Sequence, residues 1–300
     1  MAALTTEQLP SLQTADLVGM STAQLAAIDA AKVSALGTEQ IQSLTNAQMA
    51  GLRTAQIAAL STEQIAAIET TDIRAMTSAQ IGALTTEQAA ALTSAQVLAI
   101  ETADLRALQT AAVAILSSEQ LSALSTAQAA ALTSAQLNAL TTEQVTQLDV
   151  ADVAALTAAQ VAAWITDNVA SLTTAQVVGL TTAQVAAMTT AQVANLTTTQ
   201  MEAMETADLR ALTTAQAGVL SSAQIDALST AQLVAIETAD LRNLQTASLA
   251  GLGTAHMAAL TSAQVAALST GQVAALSTEQ VAAIVTANMA ALSTAQIRAL

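Results

Sequence analysis

Few residues in this 300-residue chain could carry out acid–base or nucleophilic chemistry. His256 is the only histidine and there is no cysteine, so a hydroxyl nucleophile could find its base at only one imidazole. The sequence contains no glycine-rich phosphate loop, no His-Glu-x-x-His motif and no Ser/His/Asp set. We therefore expect no catalytic, cofactor-binding or metal-binding residue and no enzymatic activity. We interpret His256 as a variant of a structural position.

Acidic and basic side chains recur together in a Glu-x-x-Asp-x-Arg pattern. The pattern occurs four times, as Glu69/Asp72/Arg74, Glu101/Asp104/Arg106, Glu205/Asp208/Arg210 and Glu237/Asp240/Arg242. These carboxylates lack the dense aspartate spacing of a calcium loop. They are typical of a solvated helix face with acids near the helix N-terminus. The groups that begin at Glu69 and Glu101 are 32 residues apart, as are those that begin at Glu205 and Glu237. Alternatively, therefore, if one coil of the fold held four eight-residue repeats, the two groups of each pair would stack into a ladder of charges.

The composition excludes several classes of protein. The chain is 53% hydrophobic, which is too apolar for a disordered tail, and its net charge is −15, which disfavours nucleic acid as a partner. The first residues lack the pattern of a signal peptide, and no apolar run approaches the length of a membrane helix. We expect neither nucleic-acid binding nor membrane insertion.

An eight-residue unit repeats through the whole chain. Counted from Thr5, there are 37 octads without insertion or deletion, and Thr181–Met188 is a typical one. We number the positions of each octad one to eight. Positions five and eight are apolar in all 37 octads, position two is Thr or Ser in 33, and position four is Gln in 25.

The spacing of the apolar positions favours short helices over two alternatives. Strands would need apolar residues at every second position, whereas positions five and eight are separated by three and five residues. A continuous helix turns by about 800° in eight residues, so its apolar stripe would drift by about 80° per octad and face no single partner. One short helix in each octad remains.

Each octad also begins with a helix-start signal. Position one is Ser or Thr in 23 octads, and all 23 have Gln at position four, which is the spacing of a capping box. All 12 departures from Gln fall where position one is another residue, as expected if the two positions touch. Gln40 and Gln56 stand in octads whose position one is Gly37 or Arg53. Ser or Thr at position one is therefore always followed by Gln at position four, but Gln at position four does not require Ser or Thr at position one.

We predict an all-α solenoid of capped helices of about two turns, one for each of the 37 octads. Small residues at position seven would let neighbouring backbones approach closely. Trp164 stands at position eight and is interpreted as a larger core residue. Pro10 falls inside the first helix, where it removes an amide donor, so residues 1–12 are expected to form an irregular end.

The chain is predicted to be one continuous repeat domain over residues 1–300. Residues 69–108 match residues 205–244 at an offset of 136 residues, which indicates an internal duplication. The array begins and ends in phase without an evident polar cap, so the chain is expected to be part of something longer.

Read from position eight of one octad to position seven of the next, Leu180–Ala187 has the sequence Leu-Thr-Thr-Ala-Gln-Val-Ala-Ala, which is similar to a known kind of repeat. Such octads resemble octapeptide tandem arrays in very large bacterial proteins, often surface-associated or secreted. The resemblance implies a spacer or stalk role and an extracellular or cell-surface setting, and it supplies no catalytic residues.

The sequence leaves two functional hypotheses. The first is a non-catalytic structural scaffold, acting as a spacer, stalk or filament element whose partners are neighbouring repeats and, in some settings, other protein chains or a surface. The alternative is a binding module, with rows of position-two Thr and Ser against ice or a polymer, or a groove for peptides.

Overall fold

The structure, a computed structural model, describes residues 5–300, and residues 1–4 of the expected irregular end lie outside that range. Each of the 37 octads contains one short helix, and no strand occurs in residues 5–300. The prediction of an all-α fold with one helix per repeat is confirmed.

The chain divides into two compact units, Met1–Ala155 and Leu156–Leu300. In the described part of the first unit, the first octad forms only a 3-10 helix around Pro10 and the other octads form α-helices. The bounds are Leu9–Ser11 (3-10), Thr14–Val18, Thr22–Ala26, Ala30–Val33, Thr38–Gln42, Asn46–Gly51, Thr54–Ala58, Thr62–Ala67, Thr70–Ala75, Ser78–Ile81, Thr86–Ala91, Ser94–Ala99, Thr102–Leu105, Thr110–Val113, Ser118–Ser122, Thr126–Ala131, Ser134–Ala139, Thr142–Gln147 and Val150–Ala155.

The second unit has the same construction, with a single 3-10 helix in place of one α-helix. The bounds are Ala158–Ala162, Thr166–Ala170, Thr174–Val178, Thr182–Ala187, Thr190–Ala194, Thr198–Ala203, Thr206–Ala211, Thr214–Ala217, Ser222–Asp226, Thr230–Ala235, Thr238–Asn243, Thr246–Gly251 (3-10), Thr254–Ala259, Ser262–Ala267, Thr270–Ala274, Thr278–Ala283, Thr286–Met289 and Thr294–Ile297.

Between two and four residues separate consecutive helices. In the octad Thr181–Met188, the helix ends at Ala187. Its C-cap Met188 has φ and ψ of −54° and 145°, and the N-cap Thr181 is extended, at −85° and 152°. No described residue has a positive φ, so these helices end without the left-handed residue that commonly closes a helix. Where a helix spans six residues, the chain therefore turns at the octad boundary through two residues of ordinary extended backbone.

Within each unit, a helix packs on the helix three octads earlier in the chain and on the helix three octads later. The helix Asn46–Gly51, for example, contacts Thr22–Ala26 on one side and Thr70–Ala75 on the other. Hydrogen bonds between octads join residues that are 25 to 31 positions apart. The chain thus returns beside itself after about 28 residues, or three and a half octads, and not after the four octads that a stacked charge ladder requires.

The core consists of positions five and eight. In the octad 53–60, Ile57 and Leu60 are 0% and 4% exposed, and Trp164 at position eight is 3% exposed, as its interpretation as a core residue requires. Burial of one such aliphatic side chain contributes about 1.5–3 kcal/mol. A helix of four to six residues is not stable in isolation, so these contacts between octads hold it in place.

Close approach at position seven is most evident at Gly251. A Cβ placed there would lie 2.0 Å from the backbone oxygen of Ser222, in the helix Ser222–Asp226 on which the 3-10 helix Thr246–Gly251 packs. The expected role of small residues at position seven is thus seen at this contact, because any side chain would push the two backbones apart.

Substitution of Gly251 by Ala should lower the free energy of unfolding by about 1–3 kcal/mol, because the methyl group collides with the Ser222 carbonyl. Gly271 is the matched control, since a Cβ there meets nothing within 4 Å. Gly271→Ala should raise stability by about 0.5–1 kcal/mol through reduced chain entropy. Urea unfolding followed by circular dichroism measures both, and equal effects of the two substitutions would contradict this account.

Candidate functional site

The site that recurs along this chain is the Gln at position four. Gln216 shows its local half: the Thr213 amide donates to Gln216 Oε1 at 2.7 Å, and the Gln216 amide donates to Thr213 Oγ1 at 3.3 Å. These are the reciprocal bonds of the capping box, and octads with Ser or Thr at position one form them throughout both units, from Ser21 to Ser293. The capping box predicted from the spacing is confirmed.

The side-chain nitrogen of the same Gln makes a second contact that the sequence pattern did not indicate. Gln216 Nε2 donates to the carbonyl oxygens of Val185 at 2.9 Å and Met188 at 2.7 Å, which lie 31 and 28 residues earlier. These oxygens belong to positions five and eight of the octad four before, at the end of its helix. Helix ends leave carbonyls without intrahelical partners, as at Met188, and here the following coil supplies the donor. The Val185 carbonyl accepts the Met188 amide at 3.1 Å as well.

The same pair of bonds recurs along both units. Gln56, for example, donates to Leu25 and Ile28, both at 2.9 Å, and Gln88 donates to Ile57 at 2.8 Å and Leu60 at 2.7 Å. A carboxylate could accept the N-cap amide equally well but could not donate to a carbonyl. The contact between octads therefore explains why position four is Gln and not Glu.

Burial makes these bonds important for stability. Gln56 is 0% exposed and Gln216 is 2% exposed, so each amide would be costly to leave without partners. The side-chain oxygen of the Gln accepts a hydrogen bond at its own helix, and its side-chain nitrogen donates to carbonyls of another helix. Both ends of a short helix are thereby satisfied by the same residue type.

The contact between octads also explains why Gly37 and Arg53 keep their Gln partners. Gly37 offers no side-chain oxygen, yet its amide donates to Gln40 Oε1 at 2.7 Å, and Gln40 Nε2 donates to Leu9 and Leu12. Gln is retained because its donor is needed by the earlier octad, whatever residue stands at position one.

His256 occupies the same position and reproduces both halves of the Gln contact. Its Nδ1 accepts from the Gly253 amide at 3.2 Å, and its Nε2 lies 2.6 Å from the Leu228 carbonyl, 28 residues earlier. This arrangement requires the neutral imidazole with its proton on Nε2. The interpretation of His256 as a repeat variant thus has a structural reason.

Other substitutions at position four keep only the donor. The Ser248 hydroxyl donates to the Leu220 carbonyl at 2.5 Å, and Asn288 Nδ2 donates to the Leu260 carbonyl at 2.5 Å, both 28 residues earlier. A hydroxyl, an imidazole and a shorter amide are chemically different, but each presents a hydrogen to the last carbonyl of an earlier octad. Donation to that carbonyl is the property that these variants share.

Where position four cannot donate, position one can. Ala112 is completely buried, and Gln109 Nε2 of the same octad reaches the carbonyls of Gly82 at 3.1 Å and Leu84 at 3.5 Å. Arg53 shows a similar reach, donating to the Ile28 carbonyl at 2.8 Å. Long polar side chains at position one can therefore supply part of the missing contact.

The Glu-x-x-Asp-x-Arg groups are divided between two environments. Their Glu and Arg side chains are exposed, as a solvated face requires, whereas Asp72, Asp208 and Asp240 are 1%, 2% and 4% exposed. The expectation of a solvated face is wrong for these three aspartates, because position four points at the octad four before. Ser78 Oγ donates to Asp104, and Thr214 Oγ1 donates to Asp240 at 2.7 Å.

Metal sites and membrane-spanning helices are two further kinds of functional feature. Within residues 5–300, His, Cys, Asp and Glu side chains form no group of three that could hold a metal ion. No helix in the same range combines the length and hydrophobicity needed to cross a bilayer.

The structure defines a helical tandem-repeat protein whose octads are joined by a capping Gln. Comparison with known families is consistent with this class, because the ALTTAQ repeat model matches ten segments, most of them overlapping, that together cover most of the chain. The chain belongs to the ALTTAQ repeat family. No curated protein matches it. The matched segments are 9–46, 65–99, 97–134, 121–150, 145–182, 166–198, 201–235, 233–270, 258–286 and 265–300.

The donor role of Gln can be tested with Gln216→Glu, which keeps the capping acceptor and removes both bonds to the earlier octad. At pH 8 the variant should lose about 1–3 kcal/mol of stability, because the Met188 carbonyl loses its donor and the Val185 carbonyl keeps only its bond from the Met188 amide. Gln24→Glu is the matched control, since Gln24 is exposed and forms only the local capping bonds. Urea unfolding compares the two, and an equal loss in both would show that only the capping acceptor matters.

His256 can be tested by two substitutions of opposite chemistry. His256→Gln should leave the free energy of unfolding within about 0.5 kcal/mol of the wild type, because both polar contacts are rebuilt. His256→Leu keeps the bulk but leaves the Leu228 carbonyl and Gly253 amide without a partner, which should cost about 1–3 kcal/mol. Thermal unfolding measures the stabilities of the two variants relative to the wild type. A His256→Leu variant as stable as the wild type would contradict the donor role.

Proposed function

We propose that this chain is a non-catalytic structural scaffold, serving as a spacer, stalk or filament element. The observation that carries the proposal is the recurring bond from position four to an octad 28 to 31 residues earlier. It connects equivalent groups along the chain and concentrates no reactive groups at one place. A scaffold built in this way distributes its stability over nearest-neighbour contacts.

Several polar side chains that could be offered to a ligand take part in contacts between octads instead. At position two, the Ser94 hydroxyl donates to the Glu119 carbonyl at 3.0 Å, and the Ser262 hydroxyl donates to Asn288 at 2.6 Å. The one histidine is likewise bonded to backbone groups. These contacts favour a structural role for the polar positions over a catalytic one.

The resemblance to octapeptide arrays of very large bacterial proteins supplies the setting of the proposal. In such a protein, the array would separate other domains or hold them away from the cell surface. Repeats suit this role because the number of octads can change while every contact keeps its chemical form.

An octad deletion tests whether the function is distributed. Removal of Thr181–Met188 leaves all later octads in phase, so helicity per residue should be preserved and the melting temperature should fall by no more than about 4 °C. Removal of Thr181–Gln184 alone shifts the register by half an octad and should abolish the cooperative transition. Circular dichroism distinguishes these outcomes, and an octad that proved indispensable would argue for a localised site.

The alternative, a repetitive binding surface, has one observation in its favour. The position-two residues Thr182, Thr206 and Thr230 are exposed, and their three helices pack on one another in succession. Regular hydroxyls on a rigid surface could match a lattice such as ice. Measurement of thermal hysteresis and ice recrystallisation separates the hypotheses, because a spacer should show neither and a Thr lattice should lose both when the three residues are changed to Ala.

A further inference from the structure

Asp72 stands where neighbouring octads place a donor. In the octads before and after it, Gln64 donates to Val33 and Leu36, and Gln80 donates to Met49 and Leu52, in each case 31 and 28 residues earlier. By the same register, the carbonyls of Ile41 and Leu44 are the groups that a donor at position 72 would reach. Asp72 is 1% exposed, and its Oδ1 has no hydrogen-bond partner.

A carboxylate can only accept hydrogen bonds, and so can the two carbonyl oxygens it faces. The three groups become compatible when the aspartate carries a proton, since its O–H can then donate as the Gln amide does elsewhere. We propose that Asp72 and Asp208 are pH-sensitive contacts, which join their octad to the octad four before when protonated and release it when ionised. Asp208 is 2% exposed and, by the same register, faces the carbonyls of Val177 and Leu180.

The titration of both groups agrees with this geometry. Burial, with a smaller contribution from the charge of Glu69, raises the pKa of Asp72 from 3.8 to about 6. Burial and Glu205 raise the pKa of Asp208 from 3.8 to about 6. The folded state therefore binds protons more tightly than the unfolded state. The stability from protonation is full below pH 3.8 and is lost as the pH rises through about 6.

The surroundings of Asp72 contain few other charges. The helices packed against Thr70–Ala75 are Asn46–Gly51 and Ser94–Ala99, and neither contains a titratable side chain. Arg74 lies on the same helix and Glu69 caps it, and both side chains are exposed. The octad that supplies the facing carbonyls contributes only Glu39, and the octad four later contributes Glu101, Asp104 and Arg106.

The surroundings of Asp208 have the same character. The helices packed against Thr206–Ala211 are Thr182–Ala187 and Thr230–Ala235, and neither has a titratable side chain. Arg210 lies on the same helix as Asp208, and Glu205 is the N-cap of that helix. The octad 173–180, which supplies the facing carbonyls, contains no titratable side chain. The octad four after that of Asp208 contributes Glu237, Asp240 and Arg242.

Asn is the appropriate substitution because it is an amide of the same size as a protonated aspartate. Asn288 shows that an amide of this length at position four reaches the carbonyl 28 residues earlier. Asp16→Asn is the matched control, since Asp16 stands at position four but is exposed and accepts only from the Gln13 amide. Asp72→Leu is a second comparison that removes the charge without supplying a donor.

The experiment is amide hydrogen exchange by mass spectrometry on the full chain at pH 8 and pH 4.5, with each variant compared with the wild type at the same pH. At pH 8, Asp72→Asn should slow exchange in segments 37–44 and 69–76 by about 10- to 100-fold, because a shift of two pKa units is a 100-fold effect. At pH 4.5 it should differ little from the wild type. Asp208→Asn should act likewise on segments 173–180 and 205–212.

Two results would overturn the proposal. One is a wild-type rate of exchange in Asp72→Asn at pH 8, which would show that the ionised aspartate does not weaken the contact. The other is equal protection by Asp72→Leu and Asp72→Asn, which would show that removing the charge suffices and no donor is needed. Asp16→Asn should change exchange at neither pH, which excludes a general effect of net charge. Because the comparison reads local exchange, failure here leaves the scaffold function untouched.

Discussion

A single Gln side chain satisfies two helix ends at once, and the rest of the structure depends on that bond pattern. Its oxygen accepts the N-cap amide of its own helix, as at Thr213, while its nitrogen donates to the last carbonyls of another, as at Met188. Helices of four to six residues have more unsatisfied backbone groups than internal bonds, so they cannot persist without such partners. The buried amide supplies those partners inside an apolar core.

The variants at position four show which property of Gln is required. His256, Ser248 and Asn288 differ in size and polarity, yet each donates to a carbonyl 28 residues earlier. Asp72 is the departure from this chemistry, because it brings an acceptor to a place that needs a donor. Donor capacity is thus maintained at most octads, and it depends on protonation at a few.

The local features of the fold could be predicted from the sequence, because their interacting residues lie within one octad. The capping box needs only Ser or Thr three residues before Gln, and the apolar pattern identified Leu60 and Trp164 as core. Burial of the Asp72 carboxylate could not be predicted in this way, because the groups it faces lie 28 to 31 residues earlier. One signal was present in the sequence: Gln40 and Gln56 persist beside Gly37 and Arg53, although neither residue has the hydroxyl that completes a reciprocal capping box.

The sequence by itself determined where each helix begins and which of its faces is apolar, since these follow from hydrogen bonds and periodicity within eight residues. Only the tertiary structure decided which octads meet. Local rules are identical for every octad and so cannot select a partner three or four repeats away. That selection comes from close packing, as at Gly251, and from the reach of the Gln side chain, which together place the neighbouring coil about 28 residues along the chain.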